Sequence, residues 1–74
     1  MTKEELLKEL EGYRLQKNMT NREFAEAAGV LESCWSRIRR GKRKLPTNSI
    51  LLTGIIQNIP VLRKAVIKYM KEKE

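Results

Sequence analysis

The segment TNREFAEAAG, residues 20–29, carries the start and stop signals of one short helix. Thr20, followed three residues later by Glu23, fits a capping box, in which each side chain accepts a hydrogen bond from the backbone N–H of the other residue. Gly29 comes directly after Ala28, the last apolar residue of the segment, and glycine suits a helix end because it tolerates a positive φ. The segment therefore predicts a helix that is capped by Thr20 and ended by Gly29.

A second short helix is predicted to follow at once, from about Glu32 to Arg40. Trp35 and Ile38 are three residues apart in it, a spacing that directs both side chains inward, and Gly41 stops the helix. Two short helices that meet at a tight glycine turn are typical of the helix-turn-helix, whose second helix enters the major groove of DNA. The sequence places this motif at about residues 20–41.

Three more helices are predicted around this pair. The first spans about Lys3 to Lys17. The fourth is capped by Thr47 or Asn48 and is apolar on most sides, which indicates that it is largely buried. The fifth begins near Pro60, and the terminal KEKE is expected to fray. No strand pattern appears, so the prediction is an all-α domain of five helices that covers residues 1–74.

The composition fits one small globular domain. The chain has 74 residues, of which 41% are hydrophobic and 34% charged. A domain of this size buries only about 60–65% of the surface that its unfolded chain exposes, which leaves no room for a substrate cleft with walls of its own. The net charge of +7 favours nucleic acid or an acidic membrane surface as the partner.

Several chemistries are disfavoured by the residues that the chain lacks. It has no histidine and one cysteine, Cys34, which rules out an internal disulfide and a zinc site with four Cys or His ligands. A serine or cysteine nucleophile would lack its usual histidine base, and there is no glycine-rich phosphate loop. We therefore expect no enzymatic activity, no metal and no cofactor, and no small-molecule ligand is evident.

The sequence also gives an expectation about location. The start, MTKEELLKEL, is acidic and amphipathic, unlike a signal peptide. The longest apolar stretch, ILLTGIIQNI, is about half the length that a membrane span needs. We expect a cytoplasmic protein that does not bind a membrane.

The stretch from Leu10 to Pro46 resembles the Cro/phage-repressor (Xre-type) helix-turn-helix family. The segments that carry the resemblance are YRLQKNMTNREFAEAAGV and SRIRRGKRKLP. The resemblance implies a five-helix lambda-repressor-like domain that binds DNA operators as a dimer and regulates transcription. It implies a repressor of phage or mobile-element type and double-stranded DNA as the partner.

A run of positive charge lies at the end of the second motif helix. The segment CWSRIRRGKRKL, residues 34–45, holds six basic side chains and no acid. A solvated loop is the ordinary interpretation of such a run. If the second motif helix lies in the groove, however, the loop after it lies beside the sugar-phosphate backbone, where cations give affinity without sequence information. The loop residues predicted to bind phosphate are Arg40, Lys42, Arg43 and Lys44.

The family pattern assigns base contacts to the second motif helix. Arg37 could bond guanine O6 and N7, and Glu32 could accept a bond from cytosine N4. Leu31 could contact a thymine methyl group, although the family favours a small polar cap at its position. The residues predicted to read bases are Leu31, Glu32, Ser33, Ser36 and Arg37.

Two more contacts with phosphate are implied at the start of the first motif helix. Thr20 and Asn21 stand where family members often abut the DNA backbone, and a helix N-terminus is a ready anion site. The simpler interpretation of Thr20 is that it serves only as a cap. We expect Trp35 to be a core residue and Cys34 to be a small residue that fills space in the packing.

A pair of residues gives a further departure from the family pattern. The family commonly pairs an arginine of the first helix with a glutamate near the end of the third. The matching residues here are Arg14 and Arg39, which cannot pair because both stay charged. We expect both to contact phosphate, with Glu11 as a competing local partner for Arg14.

Three questions stay open at this point. The chain could be an antitoxin or excision factor that binds DNA but acts through a partner protein, or, from a different class, an RNA-binding or membrane-surface basic module. The regulator interpretation predicts a homodimer on an inverted repeat. The free protein could still be a monomer, and the fifth helix could serve either the dimer or the core of one chain.

Overall fold

A computed structural model of the chain describes residues 1–72, which form five α-helices without strands. In chain order these are α1 (Lys3–Gln16), α2 (Asn21–Ala28), α3 (Glu32–Arg39), α4 (Ile50–Asn58) and α5 (Pro60–Glu72). The predicted all-α fold of five helices is confirmed. The expected fraying of KEKE is wrong for its first two residues, which belong to α5, and its last two lie outside the described residues.

The helix starts follow the sequence signals with one exception. Both Thr-x-x-Glu segments form complete capping boxes, at the start of α1 and of α2. The cap of α4 is Ser49, whose hydroxyl accepts a hydrogen bond from the Leu51 N–H at 3.3 Å. The prediction of Thr47 or Asn48 is therefore wrong, because α4 begins at Ile50 and only the residue directly before it can serve as the cap.

The first three helices all end in the same way. Asn18, Gly29 and Gly41 have φ angles of 55°, 78° and 77°, in the left-handed region. The N–H of each of these residues, and of the one after it, bonds back to the last turn of the helix. This is the Schellman arrangement, which satisfies carbonyl groups that a helix end would otherwise leave free. It also turns the chain sharply, and α2 and α3 pack against each other across the turn at Gly29.

One apolar core joins the five helices. Trp35 and Phe24 lie at its centre with ring centroids 4.6 Å apart, and Tyr13 packs edge-on against Phe24. The core interpretation of Trp35 is thus confirmed. The buried side chains are Leu6, Leu10, Phe24, Ala25, Ala28, Trp35, Ile38, Leu45, Leu51, Leu52, Ile55, Ile59, Leu62, Val66 and Tyr69.

A close backbone approach fixes α2 against α4. A Cβ atom built on Gly54 would overlap the carbonyl oxygen of Ala28 and lie 3.1 Å from its carbonyl carbon. Only glycine allows α4 to pass this near the end of α2. The Asn58 amide, one turn further along α4, donates to the same Ala28 oxygen at 3.4 Å. The end of α2 is therefore held immediately before the turn that leads into α3.

Candidate nucleic-acid interface

The candidate interface starts from the turn between α2 and α3. Gly29 takes the left-handed conformation there, and the Val30 N–H donates to the Ala25 oxygen at 2.9 Å. Leu31 then stands at the cap position of α3 without a side-chain hydrogen bond to the helix. The two helices are thus joined by three residues, a length compatible with the predicted helix-turn-helix, which stays a prediction.

Helix α3 buries one side and exposes the other. Trp35 and Ile38 are fully buried, and the Trp35 indole Nε1 donates to Asn21 Oδ1 at 3.0 Å. Side chains three, four and seven residues apart lie on one helix face. The face opposite Trp35 and Ile38 is formed by Ser33, Ser36, Arg37 and Arg40, of which only Ser36 is half-buried.

The structure therefore brings most of the predicted base-reading residues together. Ser33, Ser36 and Arg37 share the outward face, while Glu32 and Leu31 are exposed at the N-terminal end of the helix. These positions are the part of a groove-bound helix from which base edges can be reached. Their roles stay predictions.

The basic loop after α3 is anchored from several sides. The Lys42 N–H donates to the Arg37 oxygen at 2.8 Å, which starts the loop. Lys3 Nζ donates to the Arg43 oxygen at 3.2 Å, and the Tyr69 hydroxyl donates to the buried Leu45 oxygen at 2.7 Å. Burial raises the pKa of Tyr69, so its hydroxyl keeps the proton that this bond needs. The loop is thus tied to α1 and α5 through its backbone.

Within residues 1–72, the side chains of this loop have no acidic partner. Lys42, Arg43 and Lys44 are exposed, and no acid occurs in residues 33–71. Ion pairs within residues 1–72 join the Met1 amine to Glu72, Arg14 to Glu11 and Arg22 to Glu26. None of these pairs involves a cation of α3 or of the loop, so their charge is available to an external anion.

Arg14 is paired with Glu11, the competing local partner that the sequence offers. Its guanidinium forms two hydrogen bonds with the Glu11 carboxylate, at 3.0 and 3.2 Å, and donates to the Met19 oxygen at 2.8 Å. The bond to Glu11 raises the pKa of Arg14. The competing local partner Glu11 therefore holds this guanidinium in the free protein, and the phosphate contact of Arg14 stays a prediction.

The polar side chains at the start of α2 already form hydrogen bonds within the chain. The Thr20 hydroxyl accepts from the Glu23 N–H at 3.1 Å, which bears out its role as a cap. The Asn21 oxygen accepts from Trp35, so the predicted phosphate contact of Asn21 is left to its amide nitrogen. Asn21 has a structural role that the sequence did not reveal, because the partner is fourteen residues away.

The two arginines at the end of α3 differ in their surroundings. Arg40 is exposed, and its Nε donates to the backbone oxygen of Ser36 at 3.3 Å. Arg39 is half-buried, and its Nε is buried without a hydrogen-bond partner among residues 1–72. A buried donor without a partner is unfavourable by roughly 1–3 kcal/mol. The phosphate contact predicted for Arg39 stays a prediction.

Three residues of the interface or its support were missed in the sequence. Gly54 has the plainest signal, a glycine inside an otherwise apolar helix, but its partner on α2 is set by packing. Tyr69 supports the loop from 24 residues away. Ile50 is a large apolar residue at the start of α4 that is exposed beside the loop.

Comparisons with models of known families, with curated proteins and with solved structures gave no match to this chain. Within residues 1–72, no helix is both long and apolar enough to cross a membrane. The same residues contain no group of three or more His, Cys, Asp or Glu side chains that could hold a metal ion.

Proposed function

We propose that this protein is a sequence-specific regulator that binds double-stranded DNA with α3 in the major groove. The observation that carries the proposal is the continuity between the outward face of α3 and the basic loop after it. That face presents short polar side chains and Arg37, and the loop presents cations that have no acidic partner among residues 1–72. A resemblance to the Cro/phage-repressor family supports repression as the form of regulation.

The proposal divides the contacts into two kinds. Ser33, Ser36 and Arg37, with Glu32 at the helix start, meet base edges, where Arg37 suits a guanine. The phosphate contacts come from the end of α3 and the loop, through Arg39, Arg40, Lys42, Arg43 and Lys44, with the start of α2 as a further contact. The cations supply affinity for any DNA, and the α3 face supplies the preference.

An inert basic loop is the simplest competing interpretation. A solvated loop needs no fixed backbone, because its charges interact only with water and salt. Here the Arg43 and Leu45 oxygens accept side-chain hydrogen bonds from α1 and α5, which ties the loop backbone to the core. That geometry favours a surface that meets a partner of fixed shape.

A dimer on DNA follows from the size of the interface. One recognition helix contacts too few base pairs to single out a site among the competitors in a genome. Two copies related by a two-fold axis would read an inverted repeat with half-sites about one helical turn apart. The two copies need not associate stably with each other in the absence of DNA.

The experiment is selection of binding sites from duplexes with a random central region, using the purified full chain. The expected result is enrichment of an inverted repeat, which binds at least about a thousandfold more tightly than scrambled duplex at the same salt concentration. Equal affinity for selected and scrambled duplexes would refute the proposal. Protection of a single half-site at saturation would refute the dimer alone.

A further inference from the structure

Two large exposed hydrophobic side chains share one shallow groove beside the helix-turn-helix. Leu31 is 75% exposed and Ile50 is 65% exposed. The groove between them is also lined by Gly29, Val30, Cys34 and Arg43. We call the apolar part of this lining, Val30, Leu31, Cys34 and Ile50, the Leu31–Ile50 patch.

The fold itself gives no reason for the two exposed members of the patch. Leu31 occupies the cap position of α3, where Ser, Thr, Asp or Asn would stabilise the helix by about 1 kcal/mol. Ile50 is the first residue of α4, whose start is capped by Ser49. Val30 and Cys34 are half-buried and pack on the core, whereas Leu31 and Ile50 project beyond them. An apolar surface of this kind points to a partner.

The charges around the patch restrict what that partner can be. Arg43 lines the groove, with Nη1 3.6 Å from Cys34 Sγ. Lys44 lines the adjoining groove, which Cys34 and Ile50 also border. A second copy of this chain placed symmetrically on the patch would bring these cations together, and none of the residues that line the two grooves is acidic. The surroundings instead suit a polyanion that presents an apolar group.

Double-stranded DNA is such a polyanion. The only apolar group that base edges present in the major groove is the 5-methyl group of thymine. The patch begins at the N-terminal end of α3, from which base edges are reached, and it ends beside the loop that is proposed to meet phosphates. A methyl group and a nearby phosphate can therefore be met by adjoining parts of the same surface.

We infer that the Leu31–Ile50 patch binds thymine 5-methyl groups in each half-site, so that Ile50 determines specificity from outside α3. The inference rests on the proposed DNA-binding function and extends the thymine contact that the sequence already predicts for Leu31. It assigns a role in that contact to Ile50, the first residue of α4. Leu31 supplies one side of the contact and Ile50 the other.

The test replaces thymine by deoxyuridine, one position at a time, in the duplex selected above. This change removes the methyl group and leaves every hydrogen-bonding group of the base in place. The dissociation constant of the full chain is measured by fluorescence anisotropy. Loss of one buried methyl group should weaken binding about fourfold. We expect such a loss at one or two thymines in each half-site.

The protein variants Leu31→Ala and Ile50→Ala connect that loss to the patch. Each should bring the ratio of uracil to thymine dissociation constants at those positions down towards one. Val61→Ala is the matched control, because Val61 is also 75% exposed and lies on α5 away from the patch. It should leave the ratio unchanged. Circular dichroism confirms that all three variants are folded.

Three results would overturn the inference while leaving the proposed function intact. One is a selected duplex in which no thymine can be distinguished from uracil. Another is a methyl effect that both alanine variants retain in full. The third is a loss of self-association, measured by sedimentation without DNA, in variants whose ratio stays at the wild-type value. A random pool without any enriched sequence would instead refute the proposed function, and this inference with it.

Discussion

Helices α2 and α3 have the same length but are held in different ways. Each has eight residues. Helix α2 has a complete capping box, and its end lies against α4 at Gly54. Helix α3 has no side-chain cap and is fixed by Trp35 and Ile38, which it buries, and by the glycine turn after it.

The difference shows how the two helices can serve different purposes. The capping box and the contact with α4 fix α2 at both ends, which makes it a scaffold. Helix α3 is fixed by the side that it buries and by the turn after it. The residues on its opposite face do not hold the fold together, so they can suit a partner instead. Two unfavourable features belong to α3 in the described residues: Leu31 gives it no side-chain cap, and the buried Nε of Arg39 has no hydrogen-bond partner. Residues that weaken a fold locally are expected at functional sites.

The largest effect is expected from Gly54→Ala, which attacks the support of α2. The added methyl group would overlap the backbone oxygen of Ala28, and α4 would have to move away. We expect the free energy of unfolding to fall by about 3 kcal/mol, in the upper range for overpacking. Chemical denaturation measures the change.

Gly12→Ala is the matched control for that variant. A Cβ atom on Gly12 meets nothing within 4 Å, and the residue lies inside α1. Alanine there should raise the free energy of unfolding by about 0.5–1 kcal/mol. If Gly54→Ala were as well tolerated as Gly12→Ala, the close approach of α2 and α4 would not be what holds α2.

A smaller effect is expected from substitutions of Arg39, whose buried Nε donor destabilises the free protein. Arg39→Met keeps an apolar stem and removes the buried Nε donor, which should stabilise the free protein by about 1–2 kcal/mol. Arg39→Glu should also stabilise it, by about 1 kcal/mol, if the new carboxylate draws Arg14 away from Glu11. Both variants should bind DNA more weakly, and Arg39→Glu the more so because it adds a negative charge.

Thermal unfolding and titration with the selected duplex check the two Arg39 variants. Unchanged DNA affinity together with a lower melting temperature for Arg39→Glu would show that Arg39 neither strains the fold nor contacts phosphate. If Arg39→Met alone stabilised the protein, the gain would come from removing the buried Nε donor. The proposed pair between Arg14 and a glutamate at position 39 would then contribute nothing.

The smallest effect is expected from Leu31→Ser, which gives α3 the cap that α2 already has. The serine hydroxyl can accept a hydrogen bond from the first turn of α3, so the free energy of unfolding should rise by about 1 kcal/mol. The melting temperature reports this change. A decrease in stability would mean that the exposed leucine packs against the fold in solution, and that the comparison between α2 and α3 is mistaken at this position.

Local signals in the sequence account for the parts of the structure that depend on neighbouring residues. Thr20 with Glu23 predicted the start of α2, and Gly29 predicted its end, because these interactions lie within one helical turn. The inward spacing of Trp35 and Ile38 was also sufficient to place them in the core. The cap of α4 was misplaced because three consecutive residues there can all serve as caps.

The remaining contacts depend on distances that spacing along the chain does not set. Asn21 was predicted to bind phosphate, yet its oxygen meets the Trp35 indole across the turn. Arg14 had two plausible anions, and the local carboxylate of Glu11 was the one available within the chain. The role of Gly54 follows from the path of α4 over α2, which only tertiary packing determines.

The central claim is that the α3 face reads bases while the loop binds phosphates. The most direct test compares Arg37→Ala with Lys42→Ala on the selected duplex and on a set of its single-base variants, at several salt concentrations. Arg37→Ala should abolish the preference at one base pair per half-site, worth about 1–3 kcal/mol. Lys42→Ala should weaken binding to all duplexes alike and reduce the salt dependence by about one counterion per monomer. If Lys42→Ala changed the base preference while Arg37→Ala changed only the salt dependence, the placement of α3 in the groove would be wrong.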